Sequence, residues 1–334
     1  MSNFTALLGK LEKNAVAGPV IRYLRTNFGI LTGFLFLFIV LSVFADRFFT
    51  YDNFINVLRN ISTNSYLSIG VMMAIMLGGI DLTGGALLAF GGCICVAAMD
   101  RLGIPMPAAI AAGLSVGILA GFFNGVIIAY SGIHPFVVTL AMMSICRGGA
   151  YLIADGRPIP LRNDAFTFLG NGYIGPLPLP VLYTIVFVFL TYLLLNRTRI
   201  GRHIYAVGGN SVAARYSGIN IIRVKIMVWT ISGFLGAFGG IILAARMSSG
   251  QPAVGIGFET DAIAAAVLGG TSMYGGVGNI GGVFIGVLII GIISNGLNLL
   301  QVNSFWQYVA KGVIILMAVY LDMYRQKRQN LLKK

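Results

Sequence analysis

A few charged side chains stand in or beside strongly apolar stretches: Asp81, Arg147, Arg246, Glu259, Asp261 and Lys311. In an enzyme such a set would supply acid–base pairs or an activated nucleophile. Here no pair of carboxylates lies near a histidine, and the only histidines are His134 and His203. The chain carries no H-E-x-x-H, no G-x-S-x-G elbow and no G-x-x-x-x-G-K-S/T phosphate loop; Lys10 follows Gly9 without the spacing or the hydroxyl. Cys93, Cys95 and Cys146 all lie in apolar runs without a nearby His or acid and are read as packing residues. The chain is therefore read as neither an enzyme nor a metal or cofactor protein. Most of the charges stand near the ends of apolar segments, where snorkelling to the interface explains them. Arg147 is the most interior; it either pairs with a backbone carbonyl or an acid, or lines a path. No chain of acids runs through the apolar segments, so an ion-driven carrier is not indicated.

A second chemistry is suggested by Arg197–Lys225, which holds six basic residues (Arg197, Arg199, Arg202, Arg215, Arg223, Lys225), no acidic one, and the small-residue knot Gly208-Gly209-Asn210. A basic loop with a glycine pair can cradle phosphate, touch nucleic acid, bind lipid or dock a protein. A phosphate cradle needs a strand feeding the loop, and none is evident. Asn210 or Ser211 can cap a short helix over Val212–Tyr216, and Gly218 can close it. The alternatives left are a solvated loop and a short docking helix on the membrane surface.

The elements that must position these residues are membrane helices. Of the 334 residues, 57% are hydrophobic and 10% charged, with a mean hydropathy of +0.87. A soluble domain carries about 25% charged residues, so this is an all-α polytopic membrane protein. The 45 glycines fit, because small residues let membrane helices approach closely. The net charge of +13 belongs to cytoplasmic loops rather than to a nucleic-acid surface.

Spans of roughly 20 apolar residues are expected near 29–45, 62–80, 83–99, 105–129, 135–153, 178–195, 226–246, 258–273, 278–298 and 304–321, ten in all. The first lacks a small-x-small cleavage site and is read as retained. The basic segments 1–28, 196–225 and 322–334 should be cytoplasmic, and an even number of spans separates each from the next. The whole chain is then one transmembrane domain with both termini inside. A short internal similarity supports an inverted five-plus-five repeat: Asn124-Gly125 followed by Ile133–Phe136, and Asn295-Gly296 followed by Val302–Phe305, five spans apart. In such repeats the path lies at the repeat interface. Candidates to line it are Asp81, Asn124, Phe136, Arg147 and Asn295.

Four stretches in chain order then carry a resemblance: GGIDLTGG (78–85), HPFVVTLAMMSICRG (134–148), TRIGRHIYAVGGNSVAARYSGIN (198–220) and FETDAIAAAVLGGTSMYGGVGN (258–279). The tail segment VNSFWQYVAKGVIILMAVYLD (302–322) is similar too. With these the chain resembles the permease subunits of bacterial ABC importers of the simple-sugar branch, which carry ribose, allose, galactose and related sugars. Thr83, Gly84 and Thr260 stand where that pattern more often has Ser, Val and Leu. The resemblance implies a homodimer in the bacterial inner membrane with the path between the copies. It also implies an ABC ATPase partner, often a tandem chain, and a periplasmic or lipid-anchored sugar-binding protein. ATPase coupling would fall to Gly208, Gly209, Asn210, Ala213, Ala214, Ser217 and Gly218. A permease for branched-chain amino acids or nucleosides is the alternative, disfavoured by the sugar-type form of GGIDLTGG and AVGGNSVAARYSGIN. Two roles stay open: Asp81 caps the next helix or gates the path, and the glycine-rich run Leu268–Gly282 is tight packing or a broken helix.

The charge assignment makes a direct prediction. Alkaline phosphatase fused after Ala165 should be active on the outer side, and the same fusion after Asn210 should be inactive.

Overall fold

The computed structural model describes residues 47–303 and 305–313, with isolated positions at 35, 38, 39, 42, 45, 316 and 320. The expected N-terminal segment and the tail beyond 322 lie outside the described residues, as does most of the expected first span. The fold is helical: α1 (Tyr51–Met76), α2 (Gly84–Asp100), α3 (Met106–Tyr130), α4 (Pro135–Ile153), α5 (Asp164–Asn171), α6 (Leu179–Arg197), α7 (Arg199–Gly209), α8 (Ser211–Tyr216), α9 (Ile221–Met247), α10 (Phe258–Leu268) and α11 (Ile280–Leu299). Residues 305–313 are helical as well. Four two-residue strands form two small antiparallel ladders: β1 (Ile159–Pro160) pairs with β4 (Ser249–Gly250), and β2 (Tyr173–Ile174) with β3 (Leu177–Pro178).

Among the described residues five helices are long and apolar enough to cross a membrane: α3, α4, α6, α9 and α11. The 17-residue α2 is apolar but shorter. This architecture is that of a polytopic membrane protein. The 26-residue α1 is long enough but less apolar, because it is the central post: Ile61–Ile69 carries Ser62, Thr63, Asn64, Ser65 and Ser68, nearly all buried against other helices. A helix shielded from lipid by its neighbours can carry hydroxyls that bond its own backbone, as Ser62 and Ser65 do to Leu58 and Ile61 carbonyls.

Most helix boundaries agree with the expected spans to within two residues or so, and α4 agrees at both ends. Three differ for identifiable reasons: α9 starts at Ile221, five residues before the expected 226, because Asn220 Oδ1 accepts from Arg223 N at 3.0 Å and the charged Arg223 and Lys225 hide the first turn from an apolar reading. The second expected span begins at 62, whereas α1 starts at Tyr51, capped by Thr50 Oγ1 accepting from Asn53 N at 3.3 Å. Its first turns carry Asp52, Asn53, Asn56, Arg59 and Asn60, which give no apolar signal. The expected span 258–273 is helical only to Leu268, because Gly269 ends it and Gly270, at φ +85°, turns the chain into a loop.

The closest helix pairing is built from a glycine stripe. Gly113, Gly117, Gly121 and Gly125 recur every fourth residue on α3; the last three lie against the backbone of α9, and Gly113 lies against Gly91 and Cys95 of α2 with Ile241 of α9 beside it. A Cβ at Gly117 would run into the Gly233 carbonyl oxygen, one at Gly121 into that of Trp229, and one at Gly125 would come within 2.6 Å of Ile226 Cα. The two backbones thus touch, the arrangement that replaces hydrophobic driving force between helices in lipid.

Two helices start partway along α9. The first turn of α2 lies beside Gly236, close to the midpoint of the 27-residue α9. The turn-rich segment 248–257 runs back along α2, with Gly250 against Cys93 and Val96 and Gly255 against Gly85 and Leu88. It delivers the N-terminus of α10 to the N-terminus of α2, where a Cβ at Gly85 would run into both the Gly255 carbonyl oxygen and Glu259 Oε2.

Substituting the stripe separates packing from propensity. Gly121→Val should lower the detergent melting temperature and the monodisperse yield sharply, since overpacking costs about 1–3 kcal/mol and backbone cannot move aside here. Gly148→Ala, with open space around it on α4, should be neutral or stabilising.

Candidate functional site

The basic segment folds as two consecutive helices. Thr198 caps α7, its Oγ1 accepting from Gly201 N at 3.2 Å and donating to the Leu194 carbonyl at 2.6 Å. Gly201, Ile204 and Val207 form the buried stripe of α7. At its end Gly208 lies directly on the C-terminus of α1: a Cβ there would run into the Met76 carbonyl oxygen and come within 2.7 Å of Gly276 N. The Met76 carbonyl in turn accepts from Gly276 N at 2.8 Å, and Tyr205 Oη donates to the Gly278 carbonyl at 2.8 Å. Burial pushes the Tyr205 phenol up, so it keeps its proton. Three chain segments therefore meet in one seat: α7, the end of α1, and the loop 269–279 that joins α10 to α11.

The short helix expected at 212–216 is α8, with Asn210 as its cap: Asn210 Oδ1 accepts from Ala213 N at 2.9 Å. Ser217 Oγ donates to the Ala213 carbonyl at 3.0 Å, and Gly218 closes the helix at φ +78°. Gly209, Asn210, Ala213, Ser217 and Gly218 are exposed, whereas Gly208 is half-buried in the seat. Ala214 is buried against the chain's own core. The outer face instead presents Val212 and Tyr216, 63% and 89% exposed and four residues apart, together with Arg215. Sequence reasoning passed over both, although an exposed apolar pair at i, i+4 is visible once the helix is phased.

The candidate path residues fall into different surroundings. Asp81 is buried in the turn between α1 and α2. Its Oδ1 accepts from Thr83 N at 2.9 Å and Thr83 Oγ1 at 2.5 Å, and its Oδ2 from Ser232 Oγ of α9 at 2.6 Å. It thus fixes the residue that precedes α2 and ties it to α9, with the carboxylate near the positive end of the α2 dipole. Thr139 Oγ1 of α4 donates to the neighbouring Ile80 carbonyl at 2.9 Å. Asn124 is fully buried in α3, and neither atom of its amide finds a hydrogen bond among the described residues. Phe136 is 42% exposed in the first turn of α4. Asn295 spends its amide on Asn53 in a reciprocal pair, 2.7 Å and 3.2 Å, that joins the far end of α11 to the start of α1.

Arg147 reaches across to the segment 248–257. Its Nη1 donates to the Pro252 carbonyl at 2.8 Å and the Val254 carbonyl at 2.7 Å. It shares a cleft of about 410 Å³ with Met143, Ser144 and Tyr151 of α4, Ile256, and Glu259 of α10. Glu259 Oε1 accepts from Gly257 N at 3.1 Å, and Oε2 has no hydrogen bond among the described residues. Glu259 was assigned to the membrane edge on sequence grounds; it stands instead opposite Arg147. The other acid of that stretch, Asp261, is also not an edge residue: it is buried and paired with Lys311 Nζ at 2.7 Å. Beside that pair Phe258, Thr260, Gln307 and Tyr308 line a second cleft of about 430 Å³.

Comparison with known proteins identifies the family. A family profile described as "Branched-chain amino acid transport system / permease component" matches residues 53–319. The ribose import permease protein of Haemophilus influenzae is 42% identical over 293 residues, 86% of this chain and 90% of that protein. The L-arabinose transport system permease protein of Escherichia coli is 40% identical over 304 residues, 91% of this chain and 92% of that protein. The D-allose transport system permease protein of the same bacterium is 38% identical over 294 residues, 86% and 90%. No solved structure matches. The chain is a member of the family of branched-chain amino acid transport system permease components.

Proposed function

We propose that this chain is the membrane-spanning subunit of an ATP-driven importer that passes a monosaccharide into the cytoplasm by alternating access. Three relatives similar over most of their length carry ribose, L-arabinose and D-allose in their names. The chain itself holds no nucleotide loop, so the energy enters through a separate ABC ATPase, supplied as one tandem chain or as two. A sugar-binding protein hands the substrate to the outer face. The observation that carries the mechanism is the seat of α7 on Met76 and Gly276, with the outer face of α8 left open. A push on Val212, Ala213 and Tyr216 moves the end of α1 and the loop that leaves α10 together; α2 follows α1 across 77–83, and α2 and α10 meet at the cleft.

The reading includes two further elements. The first is an inverted five-plus-five repeat: α1, a non-helical break and α2 have the same order as α9, a non-helical break and α10. Contacts of Gly70 with Ser232 and Gly239 with Tyr66 make α1 and α9 antiparallel. The second is a homodimer. The cleft with Arg147 and Glu259 opens on the protomer surface along α4, and charges at that depth are costly against lipid. A second copy covering this face removes that cost and leaves a polar path between the two. Both termini and α7–α8 then lie on the cytoplasmic side of the inner membrane.

Gly209→Arg tests the coupling role. Gly209 has open space around it, so the variant should fold and insert at wild-type yield. Co-purification of the ATPase should fall by about tenfold or more, as expected when a charge is placed in a packed interface, and sugar uptake should fall with it. Normal co-purification contradicts the assignment of α8 as the docking helix.

A further inference from the structure

We infer that Arg147 and Glu259, with the hydroxyls of Ser144 and Tyr151, form the site where the importer touches the ring hydroxyls of its sugar in transit. The inference deepens the proposed function and rests on it. A cleft of about 410 Å³ is of the size that takes a small ligand. Its two charged groups are fixed by backbone rather than by each other. Pro252 and Val254 carbonyls hold Arg147 Nη1, which leaves Nη2 and Nε without a hydrogen bond among the described residues. Gly257 N holds Glu259 Oε1, and Oε2 is buried beside Gly85, whose missing side chain makes room for it. The chain thus leaves donors on one wall and, on the other, a carboxylate whose Oε1 keeps acceptor capacity beside its one bond from Gly257 N.

That pairing suits a neutral polyol. Each sugar hydroxyl both donates and accepts, so adjacent hydroxyls can take N–H groups from the guanidinium and give protons to the carboxylate. Met143 and Ile256 provide apolar surface for the C–H faces of the ring. The two charges offset each other, so the cleft attracts no ion strongly. The site lies where the N-termini of α2 and α10 meet, and those are the two helices that a push on α7–α8 reaches. Movement at the seat would therefore open or close the contact.

The test uses the complete complex, permease with its ATPase and binding protein, in proteoliposomes with radiolabelled D-ribose, L-arabinose, D-allose and L-leucine. Glu259→Gln and Arg147→Lys keep size or charge while altering the hydrogen bonds. Each should lower uptake of the accepted sugar by about tenfold or more, the factor set by one charge-assisted hydrogen bond. Each should also change the ratio of uptake between that sugar and its monodeoxy analogues, which loss of packing would leave unchanged. Complex yield should stay at wild-type level. Uptake and sugar ratio close to wild type in both variants overturn the inference. If either variant fails to assemble, Tyr151→Phe and Ser144→Ala, at exposed positions on α4, carry the same test with the same two outcomes. Wild-type complex that imports L-leucine and none of the sugars contradicts the proposed function instead of the site.

Discussion

A helix that starts inside a membrane must find acceptors for its first N–H groups within the protein, because no water is there to take them. That constraint organises this permease. Its α2 starts midway along α9, and Asp81 serves this need one residue upstream, accepting from the N–H of Thr83, which precedes the helix, while its other oxygen holds Ser232 of α9. A buried carboxylate is itself expensive. Three neutral donors and the helix N-terminus offset that expense, and among the described residues no cation is paired with Asp81. At α10 the same need is met locally by Glu259, which accepts from Gly257 N. Both breaks place carboxylates near one junction, and the junction borders the cleft that Arg147 completes.

The seat and the junction are the two ends of one mechanical connection. Met76 ends α1 under Gly208, and only the segment 77–83 separates it from α2. Gly276, also on Met76, belongs to the loop that leaves α10. A force on α7 has two short routes to the helix starts, each along rigid elements joined by backbone contact. Backbone contact transmits displacement well because no side chain can change rotamer to absorb it. The glycine stripe of α3 against α9 holds the frame against which such movement occurs.

Much of this was legible in the sequence. Apolar length and basic loops gave the membrane class and most helix boundaries, most sharply at α4, where His134-Pro135 and Ala154–Gly156 mark both ends. Asn210 and Gly218 were recognisable as cap and terminator of α8. The rest depends on contacts between residues far apart in the chain. Nothing in Gly208 announces Met76, nothing in Asp261 announces Lys311, and Asn295 reads as a repeat position until Asn53 is found beside it. Glu259 was passed over because charges near a span end ordinarily snorkel; the chain instead carries it inward on the segment 248–257. The spacing of Gly113, Gly117, Gly121 and Gly125 was readable and is a signal of its own.

The central claim is that the cleft beside the two helix starts is a water-filled part of the path, under control of the seat. It is tested most directly by the thiol reactivity of Ser144→Cys in the complete complex, with and without trapped ATP. The native thiols Cys93, Cys95 and Cys146 are buried and contribute little background. The account predicts that a charged, membrane-impermeant reagent labels residue 144 and that the rate differs between the two nucleotide states. Equal rates in both states, or labelling only by a lipid-soluble reagent, would contradict it.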